Sequence, residues 1–398
     1  MTLRRILIVT NGYAEDSGAA AVLRALPTSG VAACAYPLVG VGLQLAPETV
    51  LLDPRRDFPS GGFGMRGGWA SLRADLQDGL LGFWIAQRRT LRAQRGRVDL
   101  AVALGDVYCL WMAAAAGVPT MFVAAPKSEY IGPHSAMEIW MMRRLACEVI
   151  ARDERTAAAL RRRGLPAIHV GFWMMDSLSF SGETFGLPRD RAVVTILAGS
   201  KPPAFENLPV LLHAVRAAAA HLPRPPAVLV AWAPHLSVGR LRDTVAAAGG
   251  TWTGDRRFRM DGLDAMVTID HYGDALARAT VVLGMAGGAN EHAAGLGKPV
   301  VAFPGAGPQF TPRFLREQQR LIGEALVATS DWRSAASALG RLLRDPAERG
   351  RRGQAGLARL GGSGAAAAIA ARVMERLRSA RVPQPVGPAP RSASNTPS

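Results

Sequence analysis

Short apolar runs alternate with stretches of helical periodicity along most of the chain. Residues 6–10, 100–104, 120–124, 149–152 and 168–170 form one series of runs; 192–198, 227–231, 266–269, 280–283 and 300–303 form a second. Each is bounded by glycine, proline or polar residues and reads as a buried strand. Helical spacing of apolar positions follows at 18–26, 154–163, 208–220, 237–248, 289–296 and 314–325, with further helices at 332–343 and within 354–378. Strand, loop and helix in repeated succession predict parallel sheets covered by helices. Residues 177–190 lack periodicity and divide the two series. The pattern therefore predicts an α/β protein of two doubly wound, Rossmann-like domains facing one cleft, residues 1–176 and 191–365, with the linker at 177–190 and a C-terminal helix at 366–380. Residues 381–398 are rich in Pro, Ser and Ala without apolar periodicity, and are expected to be disordered.

Open α/β sheets bind ligands beyond the carboxyl ends of their strands, so the loops there carry the candidate chemistry. The most informative runs through residues 280–314. After its strand come Gly284, Gly287 and Gly288, then a small-residue helix closed by Gly297, then Lys298-Pro299 and a second strand. Free N–H groups and the helix dipole make such a helix start an anion site, and the glycines admit a phosphate to the backbone. Glu291, on the first helical turn, is placed to hold a sugar hydroxyl. The stretch is not a Walker A loop: His292 stands where that spacing needs glycine, and Lys298 precedes proline. A second strand-end loop offers Gly199, Ser200 and Lys201 to a phosphate. In the first half, Glu15 and Asp16 follow the first strand, and Asp106 ends the strand at 100–104. Asp16 also suits a helix N-cap. The loop after residue 124 adds Lys127, Ser128, Glu129 and His134.

Composition sharpens this picture. Of 398 residues 49% are apolar, enough for two domains and too many for bulk disorder. Net charge is +16, yet only three of the 47 basic residues are lysines. That skew, with the many alanines, points to a GC-rich bacterial genome and assigns part of the charge to codon usage. The remainder favours an anionic partner. Cys34, Cys109 and Cys147 give neither a disulfide framework nor a metal spacing, and fit a reducing cytoplasm. The N-terminal MTLRRILIVT reads as the first strand, and no run approaches the roughly 18 apolar residues of a membrane span. Residues 69–95 place Leu72, Leu76, Leu80, Phe83 and Trp84 at helical spacing, followed by Arg88, Arg89 and Arg92. This is either a core helix with a solvated basic face or a helix docking on an anionic bilayer. The chain has no interleaved aromatic–basic pattern, so no nucleic-acid partner is expected.

The segment E-x-A-x-G-L-G-K-P-V-V resembles the donor-binding segment of GT-B glycosyltransferases and of the related UDP-N-acetylglucosamine 2-epimerases. VTNGYAEDSGA (9–19), ALGDVYCL (103–110), AAPKSEY (124–130), EVIARDERTAAAL (148–160), VGFWMMDSL (170–178), LAGSKPPAFENL (197–208) and residues 284–311, in that order, resemble the lipid-A-disaccharide synthase-related proteins of the GT-B superfamily. The resemblance covers about residues 3–325. It implies transfer of a sugar from a nucleotide donor, UDP first, to a lipid or lipid-linked acceptor at the inner face of the cytoplasmic membrane, without a metal or other cofactor, in a chain that could form a homodimer. It assigns Gly199, Ser200, Lys201, Gly287, Gly288, Asn290, Glu291, His292, Gln309 and Thr311 to the donor. Asp106, then Asp16, then Glu15, would take the acceptor proton, and Phe83, Trp84, Arg88, Arg89 and Arg92 would face the membrane. Three positions depart from the pattern. The interdomain turn has Phe172-Trp173 where relatives have Asn-Pro; Lys201 replaces arginine; and the ribose-binding glutamate falls on His292, one residue after Glu291. A 2-epimerase of the same fold and a non-catalytic nucleotide-sugar or membrane-binding protein are the rival readings.

Overall fold

The computed structural model describes residues 3–56, 79–307 and 310–379. Seven parallel strands form the first sheet: β1 (Arg4–Thr10), β2 (Val31–Pro37), β3 (Val50–Leu51), β4 (Leu100–Gly105), β5 (Thr120–Ala124), β6 (Glu148–Ala151) and β7 (Ala167–Ile168). Their spatial order is β3-β2-β1-β4-β5-β6-β7. Around them lie α1 (Tyr13–Ala25), α2 (Leu80–Arg92), α3 (Val107–Ala113), α4 (Ala136–Leu145) and α5 (Glu154–Arg162). The second sheet holds β8 (Val193–Leu197), β9 (Ala227–Ala231), β10 (Thr251–Trp252), β11 (Arg257–Met260), β12 (Leu263–Thr268), β13 (Val281–Gly284), β14 (Val300–Ala302) and β15 (Leu326–Ala328). Its order is β10-β11-β12-β9-β8-β13-β14-β15, antiparallel only at β10–β11–β12. The remaining helices are α6 (Ala204–Ala219), α7 (Val238–Ala247), α8 (Tyr272–Arg278), α9 (Gly288–Gly295), α10 (Pro312–Ile322), α11 (Trp332–Arg344), α12 (Pro346–Leu360) and α13 (Ala365–Ser379).

Each sheet reverses its winding once. In the first, the order runs one way from β1 and resumes on its other side at β4; in the second, the same happens between β8 and β13. These strands are apolar and almost entirely buried, as central parallel strands covered on both faces must be. Loops diverge at a reversal and leave a crevice at the carboxyl ends. The fold thus positions two crevices, one per half.

The chain crosses between the halves twice. A short 3₁₀ turn at Trp173–Ser177 leads into the second half. After α12 the chain returns, and Ile369, Val373 and Leu377 of α13 join the core beneath Ile6, Val102 and Ile150 of the first sheet. Asp176 accepts the backbone N–H groups of Gly364 (2.6 Å) and Ala366 (2.8 Å), so the two crossings are bonded together. The β6 carboxylate Glu148, only 2% exposed, receives Arg372 (2.7 Å) and Arg376 (2.8 Å) from α13.

Several elements differ from the sequence expectation. The 124–140 stretch is not all loop: α4 begins within it, started by a capping box in which Ser135 and Glu138 satisfy each other's backbone N–H. β11 alternates exposed Arg257 and Arg259 with buried Phe258 and Met260, a one-sided pattern too short to register among arginines. The helical region within 354–378 is two helices with a break at Gly361–Gly364. Residues 69–78 of the amphipathic segment and the 381–398 tail lie outside the described residues.

Breaking a buried ion pair costs about 3–5 kcal/mol, less where the cations keep some water. With Arg372 and Arg376 about one-third exposed, Glu148→Ala is expected to cost about 2–3 kcal/mol and to open residues 361–364 to proteolysis. Arg372→Ala alone should cost less, because Arg376 still meets the carboxylate. An unchanged melting temperature and digestion pattern in Glu148→Ala would contradict this.

Candidate functional site

The second crevice is built by the loops after β8, β13 and β14. Gly199 lies two residues beyond β8 with φ +105°, a left-handed value that favours glycine. Ser200 and Lys201 follow, both exposed, and Lys201 makes no ion pair among the described residues. The other two lysines are placed differently: Lys127 pairs with Glu138 at 2.6 Å, and burial lowers the pKa of Lys298. Opposite this loop, α9 starts at Gly287 with no side-chain cap, so its first N–H groups are offered to a ligand.

Two side chains that the sequence reading missed tie these loops together. Gln318 of α10, 3% exposed, donates to the carbonyls of Ala286 (3.0 Å) and Gly287 (2.9 Å) and accepts from Asn290 (2.9 Å). Asn207 of α6 donates to Ala198 O (3.3 Å) and accepts from Ala306 N (2.7 Å), joining the β8 and β14 loops. Asn290 is therefore not a donor ligand as expected: it is fully buried and turned toward Gln318. Thr311 caps α10 by accepting Phe314 N–H (3.2 Å), which leaves its hydroxyl hydrogen to donate. Gln309 lies outside the described residues.

Helix α9 carries Glu291 and His292 in different directions, about 100° apart. Its small residues let backbones meet: a Cβ on Gly353 or Gly356 of α12 would stand 2.4 Å from Gly297 O or Ala294 O. His292 packs inward. Its Nε2 lies 3.1 Å from the carbonyl of Met174 in the connecting turn, which can only accept, so this nitrogen carries the proton and Nδ1 accepts from Tyr272 Oη at 3.1 Å. Burial lowers its pKa to about 4, so it is neutral at pH 7. His292 thus faces the turn, and Glu291 is the residue that reaches the cleft. There it meets Arg152, which leaves the end of β6, in an ion pair between the halves; both side chains are about nine-tenths buried. Arg152 also donates to Ala125 O (3.0 Å), and its guanidinium lies 5.1 Å from the Phe172 ring centroid. A second bridge places the Arg359 guanidinium of α12 over Tyr130 at 3.1 Å.

The first crevice holds Asn11, Glu15 and Asp106. Asp106 caps α3: its Oδ1 accepts from Tyr108 N (3.0 Å), Cys109 N (3.1 Å) and Asn11 Nδ2 (2.7 Å). All three bonds fall on one oxygen, so Oδ2 takes none of them. Glu15 curls back over Gly12 at the start of α1. Asp16 is placed neither as a cleft base nor as a cap. It lies one turn into α1, fully buried, with Thr10 Oγ1 donating to it at 2.5 Å and its Oδ2 without a partner. Burial raises its pKa to about 7. A candidate base shut in the core cannot meet an acceptor.

The α2 expectation is also partly redirected. Trp84 stacks on Trp111 of α3 at 5.5 Å, and the Arg88 guanidinium covers the same ring at 3.8 Å. Both therefore serve the packed face, and Phe83 is half-buried. The outer stripe is instead Leu81 (65% exposed), Ile85 (46%), Arg89 and Arg92. Helix α4, which like α2 contacts α3, exposes Met137 (68%) and Trp140 (60%) beside Arg143 and Arg144. Among the described residues no helix is long and apolar enough to cross a membrane.

The architecture is the GT-B fold. Similar solved structures include the UDP-GlcNAc 2-epimerase of Neisseria meningitidis bound to UDP-GlcNAc (14% identity, TM-score 0.57, 94% of this chain and 100% of that one). They include MnaA of S. aureus with UDP (14%, 0.60, 94% and 97%). They also include MurG of Acinetobacter baumannii (14%, 0.56, 94% and 99%). At such identities the likeness shows the fold alone. No protein-family model and no curated protein matches the sequence.

Asp16 generates a pH prediction. The folded pKa near 7 exceeds the ordinary 3.8, so the folded state keeps a proton that the unfolded chain has lost. The stability this contributes is whole below pH 4 and is lost as pH rises through about 7. Asp16→Asn should therefore gain melting temperature over the native protein progressively between pH 4 and pH 8. A difference that does not change with pH would refute the assignment.

Proposed function

We propose that the protein is a glycosyltransferase that takes a sugar from a nucleotide donor, UDP-linked first, bound in the second crevice. The carrying observation is the uncapped start of α9, held by Gln318, with Lys201 exposed at the neighbouring loop and Glu291 on the same helix reaching the cleft. The pyrophosphate would lie on the Gly287–Gly288 N–H groups, with Ser200 and Lys201 meeting its charge, and Glu291 would hold the ribose hydroxyls. Across the cleft, Asp106 Oδ2 would remove the acceptor hydroxyl proton as that oxygen attacks the anomeric carbon. Electrons of the breaking glycosidic bond leave on the nucleoside diphosphate, whose charge the helix start and Lys201 stabilise.

The acceptor would be a lipid or lipid-linked sugar at the inner membrane face. What supports this is the basic, partly apolar surface of α2 and α4 on the half that carries Asp106. A 2-epimerase is the second reading, favoured by the similar structures, which include a UDP-GlcNAc 2-epimerase bound to UDP-GlcNAc. It would use the same donor site and remove a proton from the sugar instead.

Three experiments test these readings. UDP should raise the melting temperature, because it binds only the folded state. Glu291→Ala should weaken UDP about tenfold or more, the worth of a charged hydrogen bond; Gly288→Val, whose Cβ would stand 2.9 Å from Met174 Cε, should abolish binding. No stabilisation by any nucleoside diphosphate at millimolar levels would defeat the donor site. Incubation with UDP-GlcNAc alone then separates the two reactions: an epimerised product supports the second reading, and turnover only with a lipid acceptor supports the first. Binding to anionic vesicles should be lost at high salt and fall about tenfold or more in Arg89→Gln/Arg92→Gln, at roughly 1 kcal/mol per basic residue. Unchanged binding in that variant would remove the membrane role of α2.

A further inference from the structure

The carboxylate assigned to the donor ribose is already occupied, and by a residue of the other half. Arg152 and Glu291 are 9% and 10% exposed, and Arg152 Nε is buried without a hydrogen-bond partner. Arg152 holds Glu291 Oε2, so a ribose diol that engages both carboxylate oxygens takes the place of the guanidinium. That would leave a cation nine-tenths buried whose remaining contacts, among the described residues, are a backbone carbonyl, Ala125 O, and an aromatic face, Phe172. A buried charge deprived of its counter-ion is strongly unfavourable. The displacement is balanced only if the ligand supplies an anion of its own close by. The anion site at the start of α9 lies three residues before Glu291, about 4.5 Å along the helix axis. This is within the swing of an arginine side chain.

We propose that Arg152 is a specificity-determining residue: it exchanges Glu291 for the diphosphate of the incoming nucleotide, so that a nucleoside diphosphate is accepted and the bare nucleoside is rejected. The inference rests on the donor-site reading above. It gives the interdomain ion pair a second role. The pair joins the halves across the cleft, and it gives way only to a ligand that satisfies both charges released by its opening.

The test measures the dissociation constants of UDP, GDP and ADP, each beside its own nucleoside, by calorimetry on the full chain. Arg152→Gln and Arg152→Met serve as variants, so that one can stand in if the other fails to fold. In the native protein the diphosphate should be strongly preferred. In either variant that preference should shrink at least tenfold, with the nucleoside binding more tightly because Glu291 is free and the diphosphate more weakly because its cation is gone. A residue that only supports the fold would shift both ligands together and leave their ratio unchanged. An unchanged ratio, with diphosphate still bound, overturns this inference and leaves the donor site standing. Failure of all three diphosphates to bind the native protein overturns both.

Discussion

Helix α9 is held by close backbone contact as well as by its buried side chains. Gly353 and Gly356 bring α12 against its carbonyls, Gly295 stands against Met175, and His292 bonds to Met174 O. A helix clamped this closely cannot rotate, and its rotation decides which residue faces the cleft. With His292 fixed on the connecting turn, Glu291 is directed at Arg152 and the helix start at the β8 loop. The proposed donor site, the ion pair between the halves and the connecting turn thus share one helix of eight residues. Movement at any of them bears on the other two.

The strands that build the crevices were legible as uninterrupted apolar runs, because central parallel strands are buried on both faces. The glycine turn before α9 was legible too. What escaped were relations across long separations. Arg152 and Glu291 are 139 residues apart, and Glu148 is 224 from Arg372. No local pattern announces such pairs. Other features were present in the periodicity and were misassigned. Asp16 shares the buried face of α1 with Ala19, Ala20 and Leu23, at spacings of three, four and seven. In α2, Trp84 falls in register with buried Leu80, Gln87 and Leu91, which places it inside rather than at a bilayer. A carboxylate or tryptophan in a helical stripe belongs to that stripe's environment, whatever chemistry its type suggests.

The two reactions considered for this chain need the same nucleotide grip, and the fold alone does not choose between them. They differ in what the first half does. An epimerase needs that half only to work on the bound sugar, whereas a transferase must also bring a second substrate to its base, proposed here as Asp106. The exposed Leu81, Ile85, Met137 and Trp140, flanked by arginines, give this half a basic, partly apolar surface, the feature on which the proposed lipid acceptor rests. Among the described residues, Arg152 with Glu291 and Arg359 with Tyr130 join the halves by ionic and aromatic contacts, which a charged ligand can exchange more readily than packed apolar ones.

Backbone hydrogen exchange with and without UDP tests the central claim most directly, because it locates the ligand without assuming a reaction. Exchange should slow at residues 199–201 and 285–291 and change at Arg152 and its neighbours in the first half, with the opposite ends of both sheets unaffected. Protection confined to those opposite ends, or none in the β8 and β13 loops while UDP is bound, would contradict it.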